Sequence, residues 1–422
     1  IALNLQEDPL SMHSVVVAYV LSVAACIPLS GWLADRFGVR NTYFAAIIIF
    51  TLASLGCGFS STLNELIFYR VLQGIGGALL MPVGRLAMLK IIPRQQFLSA
   101  MSLMSLAGLL GPLMGPTLGG WMVEYASWHW IFLINLPMGL LGAWMTFKIM
   151  PNVKETSVKR FDFMGFVLLF IAMVGLSLGI ENFAQPTQSL WFTLSLILCS
   201  LIAMMWYAYH AHTHQNALFR SQLFANRNFT LGILGNSFAR LGGNAIPFIL
   251  PLMLQVVFGF DALTTGLLMI PTVLGSLASK PIIRQLIQFF GYRRFLVSNT
   301  LLLGLCIASF ALTHADMPLW LRAMHFFIFG LLNSLQFVGM NTFTLKDLSQ
   351  QHASSGNSFL SMIMMLAMTI GVALAGTLVN LFSAYLGAAQ IEQAFHFSLL
   401  CLGAINLIAA AIFWQIPKTE RA

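Results

Sequence analysis

Long apolar runs, each close to twenty residues, recur along the whole chain and are separated by short polar stretches. In runs such as "AAIIIFTLASLGCGF" the apolar residues are continuous rather than alternating, which favours helices over the strands of a barrel. A helix of about 20 residues spans a bilayer and satisfies its own backbone hydrogen bonds. The pattern predicts an all-α polytopic membrane protein with thirteen spans, near 14–33, 42–60, 65–89, 98–123, 129–149, 163–181, 189–210, 229–257, 262–283, 295–313, 319–343, 355–382 and 395–416.

The charged residues sort by side when the loops between these spans are assigned alternately. Seventeen of the 21 Lys and Arg residues fall on one side, and eight of the 13 acids fall on the other. Because cytoplasmic loops carry an excess of Lys and Arg, the basic side is predicted to be cytoplasmic. This places the C-terminus in the cytoplasm and the protein in the cell inner (cytoplasmic) membrane.

Composition excludes several other classes of protein. Only 8% of the residues are charged, whereas a soluble domain carries about 25%. The net charge of +8 is explained by basic cytoplasmic loops rather than by a nucleic-acid partner. The five cysteines all lie in apolar runs without metal-ligand spacing, and Walker and hydrolase motifs are absent from the sequence. We therefore expect no enzyme activity, no cofactor and no metal site.

A short internal repeat indicates how the chain is organised. "GWLADR" at 31–36 resembles "GSLASK" at 275–280, and each is followed by a Gly-x-Arg turn, at 38–40 and 291–293. The second copy follows the second span of its half, but the first copy follows only one span, so we expect one helix upstream of Ile1. The predicted organisation is an N-terminal helical half with five of its six spans (1–150), two linker helices (151–228) and a C-terminal six-helix half (229–422). Parallel repeats of this kind occur in transporters.

The stretch "GWLADRFGVRN" concentrates charge in a chain that otherwise avoids it. Glycine allows a sharp turn and a close approach of helix ends, and an aspartate can cap a helix N-terminus or pair with an arginine. An ordinary basic loop would explain the two arginines but not the aspartate or the glycines. We therefore interpret it as a cytoplasmic gating loop formed by Gly31, Asp35, Arg36, Gly38 and Arg40.

Four stretches of the chain carry recognisable motifs: "GWLADRFGVR", "LIFYRVLQGIGG" (66–77), "GLLGPLMGPTLGG" (108–120) and "WHWIFLINLPMG" (128–139). Together they resemble the major facilitator superfamily, in particular its fourteen-helix drug:proton antiporter branch. The resemblance implies two six-helix halves plus two extra central helices, and a proton or substrate path that includes an aspartate of the family's first helix. We expect that helix to lie upstream of Ile1, and Ser279 stands where the first repeat has Asp35.

The glycines of the third stretch recur every four residues and share one helix face, which would allow another helix to approach closely. The two prolines remove backbone donors and bend the helix. A generic packing face is the alternative to a gating seam. This antiporter motif comprises Gly111, Pro112, Gly115, Pro116, Gly119 and Gly120.

Arginines inside spans are costly and are functional candidates by default. Arg70 and Gln73 belong to the second stretch of the resemblance, and Arg240 lies about eleven residues into its span. We assign all three to the proton or substrate path, although Arg70 could instead extend to the interface and Arg240 could be satisfied by a packed carbonyl. Arg85 is closer to the basic side and is interpreted as an interface anchor.

Polar residues in other spans are candidates to line a cavity, with hydrogen bonding between helices as the alternative. The cavity candidates are Asn135, Asn236, Asn244, Gln255, Asn333, Gln336 and Asn341.

The segment "HAHTH" (210–214) has the residues of a metal site, but the sequence shows no acid or cysteine near it, so a metal is not expected there.

These features predict a monomeric secondary transporter that exports small amphipathic molecules or drugs by alternating access, driven by protons. Its partners would be a small-molecule substrate, protons and the lipid bilayer. One alternative is a uniporter or importer of an organic anion or metabolite, in which Arg70 and Arg240 bind the substrate. Another is a transport-inactive membrane sensor.

Overall fold

The computed structural model describes residues 2–5, 12–93, 95–104, 111, 115, 118–119, 122, 126–155, 158, 160–184, 189–387 and 390–417. These residues are almost entirely helical. The α-helices, in chain order, are α1 (Ala2–Leu5), α2 (His13–Cys26), α3 (Leu29–Phe37), α4 (Val39–Phe59), α5 (Leu63–Ile91), α6 (Trp130–Leu133), α7 (Asn135–Ile149), α8 (Phe163–Ala184), α9 (Leu190–Thr213), α10 (Arg227–Gly243), α11 (Ile246–Val256), α12 (Ala262–Ser309), α13 (Leu319–Leu345), α14 (Gln350–Leu386) and α15 (Ile391–Trp414).

Ten helical segments of the described chain are long and apolar enough to cross a membrane, and a bent pair adds an eleventh. The bent pair is α2 with α3, which meet at 59° around Ile27 and Pro28. Helix α12 covers two predicted spans. Its helical backbone is interrupted between them at Gly291 (φ 72°, ψ 162°). The predicted span at 98–123 lies largely outside the described residues. The all-α membrane fold is therefore confirmed.

The chain divides into two compact units. The first contains residues 1–93, 121–223 and 348–362, so it includes the start of α14. The second contains residues 94–120, 224–347 and 363–422. Large apolar side chains remain exposed on the helices, as expected for surfaces that face lipid rather than water; examples are Trp144, Trp191 and Phe289.

Each unit has its own buried apolar clusters. In the first unit, Ala34 and Val39 pack with Leu79 and Val83 of α5, and with Ala353 at the start of α14. The cluster surrounds the turn between α3 and α4 and so positions its charged residues. The second unit has a larger cluster, which includes Ile249, Leu250, Phe326, Phe329, Phe395 and Leu402.

Candidate functional site

The turn between α3 and α4 is built on Gly38. Its backbone has φ 90° and ψ 151°, a conformation that residues with a side chain rarely adopt. A Cβ at this position would also lie 2.1 Å from Oδ1 of Asn152. The turn therefore requires glycine for two separate reasons, one of backbone conformation and one of space.

Asp35 lies in the last turn of α3 and takes part in a cluster of charged groups. Its Oδ1 is 2.8 Å from Nζ of Lys90, which is also 2.8 Å from Oε1 of Glu155. The backbone N–H of Glu155 donates to the carbonyl of Asp35. The Lys90 side chain is 2% exposed, whereas those of Asp35 and Glu155 are 21% and 37% exposed, so water reaches the cluster from the carboxylate side. Among the described residues, the charged group that pairs with Asp35 is thus Lys90 rather than an arginine.

The same region contacts the start of α14, which belongs to the same compact unit. The Ser354 hydroxyl donates to Oδ1 of Asp35, and the hydroxyls of Ser30 and Ser358 are 2.8 Å apart. A Cβ on Gly31 would lie 2.7 Å from Oγ of Ser358 and 2.8 Å from the carbonyl oxygen of Ser354. Gly31 therefore permits α3 and α14 to approach until their backbones are in van der Waals contact.

Arg36 and Arg40 make fewer contacts. The Arg36 side chain is exposed. Arg40 is half-buried, donates through Nε to Asn41 at 3.4 Å, and places its guanidinium 5.5 Å from the ring centre of Phe147. Of the predicted loop residues, Gly31 and Asp35 are the ones brought against α14.

Arg70 lies at the centre of a polar cluster in the first unit. Its Nε donates to the carbonyl of Val15 at 3.1 Å, and Nη1 donates to Oε1 of Gln73 at 2.7 Å. The Tyr19 ring lies 4.2 Å from the guanidinium, a cation–π distance. Gln73 in turn donates to the Ser54 hydroxyl at 2.7 Å. Arg70 therefore contacts protein groups within the bundle, rather than extending to the interface.

Asn135 joins this cluster, since its Nδ2 donates to the same Ser54 hydroxyl at 3.4 Å. The structure thus brings Asn135, a cavity candidate, together with Arg70 and Gln73 of the predicted proton or substrate path. Ser54, which connects them, is fully buried and was not predicted. A serine in the middle of an apolar run is too common a feature to mark it from sequence.

Arg240 lies at the centre of a second polar cluster, in the other unit. It is 4% exposed and donates to Oδ1 of Asn236 and Oδ1 of Asn341, both at 3.2 Å. The Phe337 ring lies 4.8 Å from its guanidinium. Asn236 also donates to the Thr344 hydroxyl at 3.0 Å. Arg240, Asn236 and Asn341 thus form one site, and the two asparagines are fully buried.

The remaining cavity candidates occupy varied positions. Gln336 accepts a hydrogen bond from Asn299 and donates to Thr300, which is helix-to-helix bonding. Asn244 is the C-cap residue directly after Gly243, the last residue of α10, and Gln255 is exposed. Asn333 is half-buried, and its Oδ1 would lie 3.3 Å from a Cβ on Gly243.

Half of the antiporter motif lies outside the described residues, namely Pro112, Pro116 and Gly120. The other three positions, Gly111, Gly115 and Gly119, are helical. A Cβ built on any of these three meets no described atom within 4 Å. The described part of the chain therefore shows no close helix contact at these glycines.

Two interpretations from the sequence need correction. Arg85 is fully buried rather than at an interface; its Nη1 is 3.4 Å from the Ser361 hydroxyl, and its Nε has no hydrogen-bond partner among the described residues. His210 does have an acid nearby, because Nε2 lies 2.9 Å from Oδ1 of the buried Asp162. Both errors arise because the contacts join residues on different helices.

The second repeat copy resembles the first in backbone but not in charge. Gly275 lies so close to α13 that a Cβ would be 2.0 Å from the Phe327 carbonyl oxygen. Ser279, at the place of Asp35, has its hydroxyl 2.7 Å from that of Ser334, and Lys280 donates to the same hydroxyl at 3.0 Å. The second copy is therefore a close helix contact without a carboxylate.

The described residues thus form an apolar helical bundle with arginine–amide clusters inside its spans and a charged cluster at a tight turn. The chain belongs to the major facilitator superfamily, whose sequence model matches residues 1–372 and again 232–422. It is 47% identical to MdtD of Citrobacter koseri over 99% of this chain and 89% of that protein. It is 48% identical to MdtD of Yersinia pestis over 100% of this chain and 91% of that protein. Both relatives are named for multidrug resistance.

Solved structures share the fold at low sequence identity. The human organic anion transporter MFSD10 matches with a TM-score of 0.65 and 15% identity, over 95% of this chain and 83% of that one. The proton:xylose symporter XylE matches with a TM-score of 0.60 and 15% identity, over 96% and 86%. At this identity the similarity establishes the fold alone.

Proposed function

We propose that this protein is a proton-coupled antiporter that exports small amphipathic molecules, including drugs, by alternating access. The relatives named for multidrug resistance support the substrate class. The observation that carries the proposal is the cluster of Asp35, Lys90, Glu155 and Ser354. Alternating access needs contacts that hold one state and can be released, and a network of single ion pairs and hydrogen bonds has that property.

The basic side, which carries the Asp35 cluster, is proposed to face the cytoplasm of a bacterial cell, with the protein in the inner membrane. This orientation rests on the distribution of Lys and Arg. The C-terminus would then be cytoplasmic. We propose that the protein acts as a monomer with lipid around its exposed apolar helices.

The substrate path in this proposal includes the Arg70 cluster and the Arg240 cluster, one in each unit. Arginine stays charged at physiological pH, so neither can carry the proton. In the described spans the acids are Asp35, Glu65, Glu181 and Glu392, and each lies within two residues of a span end. Proton coupling is therefore supported by the family resemblance, while the arginines supply charge and polar contacts to the substrate.

Everted membrane vesicles that contain the full-length protein provide the test. We expect addition of an amphipathic cation to cause proton release in energised vesicles, read with a pH-sensitive dye. The response should disappear in Arg70→Ala and persist in Lys148→Ala, which removes an exposed charge outside both clusters. Proton movement that is equal in Arg70→Ala and the parent protein would contradict the proposal.

A uniporter of organic anions is the second candidate, and the two arginine clusters favour it. The hydrogen bonds from Arg70 to Val15 and Gln73, and from Arg240 to Asn236 and Asn341, end on uncharged carbonyl and amide oxygens. Uptake of labelled organic anions without proton movement, lost in both Arg70→Ala and Arg240→Ala, would favour this candidate over the antiporter.

A further inference from the structure

We propose that the second unit carries a zinc-binding site formed by His314, Glu392 and His396. One ligand atom from each of these side chains lies within 4.8 Å of the other two. Two imidazoles and a carboxylate form a ligand set that Zn²⁺ accepts, with the fourth position left to water. The site is separate from both arginine clusters and lies on the side of the protein predicted to face away from the basic loops.

Two of the ligands are placed by helical spacing. Glu392 and His396 lie four residues apart in the first turns of α15, so they share one face of the helix. Oε1 of Glu392 is 3.9 Å from Nε2 of His396. That nitrogen is buried and makes no hydrogen bond of good geometry with the described residues, and the backbone of Thr313 also faces the imidazole.

The third ligand comes from the connection between α12 and α13. Nδ1 of His314 is 3.4 Å from the same Oε1 of Glu392, although the two residues are 78 positions apart. The carboxylate oxygen thus stands between the two imidazoles. Ligand atoms around tetrahedral zinc lie about 3.3 Å apart, given bonds of about 2.0–2.2 Å. Side-chain movements of about 1 Å would close the site.

Arg322 holds the His314 loop in position. Its Nη2 donates to the carbonyls of His314 and Ala315, at 3.0 and 3.1 Å. The Arg322 side chain is buried and lies 5.1 Å from the ring centre of Phe260. A loop whose backbone is fixed in this way loses less conformational entropy when its histidine binds a metal.

The alternative is an ordinary cluster of surface histidine–glutamate ion pairs without a metal. A zinc site and a cluster of ion pairs predict different responses of the protein to Zn²⁺. Because the side chain of His314 is 66% exposed and that of Glu392 is 43% exposed, substitutions there should disturb folding little. This makes His314→Gln and Glu392→Gln suitable test variants.

Isothermal titration of the purified full-length protein with Zn²⁺ tests the proposal. We expect one site per chain, an affinity at least about tenfold lower in each of His314→Gln, Glu392→Gln and His396→Gln, and no competition from Mg²⁺. The matched control is His212→Gln, which removes an exposed histidine from α9. Zn²⁺ should also raise the melting temperature of the parent protein, because the ligands come from separate elements.

Three results would overturn the proposal. The first is an absence of Zn²⁺ binding by the parent protein. The second is an unchanged affinity in His314→Gln and Glu392→Gln. The third is a loss of affinity in His212→Gln as large as in His314→Gln, which would assign the ion to another site.

Discussion

Gly38 and Gly291 stand at the same place in two copies of a sequence repeat, and both adopt left-handed backbone conformations, with φ values of 90° and 72°. Each is the glycine of a Gly-x-Arg turn between two helical segments. The shared geometry shows that the repeat encodes a turn, whereas the charge at Asp35 belongs to the first copy alone.

Gly38→Ala is expected to destabilise the protein. A positive φ combined with a ψ near 150° is essentially restricted to glycine and costs a residue with a Cβ about 1–3 kcal/mol, and the new methyl would meet the Asn152 amide. Thermal unfolding in detergent should show a lower melting temperature. In the double variant Gly38→Ala with Asn152→Ala, the melting temperature should rise again by the amount that the clash with Asn152 had cost. A double variant no more stable than Gly38→Ala alone would show that the clash does not contribute.

Gly31→Ala tests the close approach of α3 to α14. The added methyl would lie 2.8 Å from a backbone oxygen of Ser354, which cannot move without its helix. We expect reduced transport together with reduced stability. The matched control is Gly142→Ala, where the nearest atom is a side-chain methyl carbon at 3.8 Å, an ordinary contact. If the two variants behave alike, the approach at Gly31 has no functional role.

The hydrogen bond between Ser354 and Asp35 predicts coupling between these residues. A hydrogen bond to a charged group contributes about 1.5–3 kcal/mol, so Asp35→Ala and Ser354→Ala should each lower stability and transport. Their effects should be less than additive in the double variant, since either change removes the same bond. Strict additivity in melting temperature and in transport rate would show that the contact is energetically neutral.

Arg85→Met separates stability from function. A buried cation with an unsatisfied Nε is costly, and a hydrophobic side chain of similar volume is often neutral or stabilising by about 1 kcal/mol or more. We expect an equal or higher melting temperature. If transport falls at the same time, Arg85 is retained for function; if the protein unfolds more easily, the buried guanidinium has a structural role.

Asp162→Asn is expected to loosen the connection between α8 and α9. The carboxylate accepts from the backbone N–H groups of Gly165 and Leu218 and contacts His210, so losing its charge should cost about 1.5–3 kcal/mol. Differential scanning fluorimetry can measure the shift. His212→Gln, a change at an exposed histidine two residues along the helix, should leave the melting temperature unchanged.

Several features followed from the sequence by itself. In a continuous apolar run of bilayer length, a helix satisfies the backbone N–H and C=O groups within the run itself. This is why the all-α membrane fold and most spans were predictable. The glycine at position 38 was predictable as a turn residue because the required backbone conformation is a local property. The family could be identified because its motifs are short and contiguous, as in "GWLADRFGVR".

Tertiary structure alone decided which residues meet. Ser354 joins Asp35 across 319 positions, Ser54 connects Gln73 with Asn135, and Arg85 is buried instead of reaching an interface. Helical periodicity places a residue on a face but does not say which helix that face will contact. Hydrogen bonds and ion pairs depend on distances of about 3 Å, and those distances are set only when separate helices pack together.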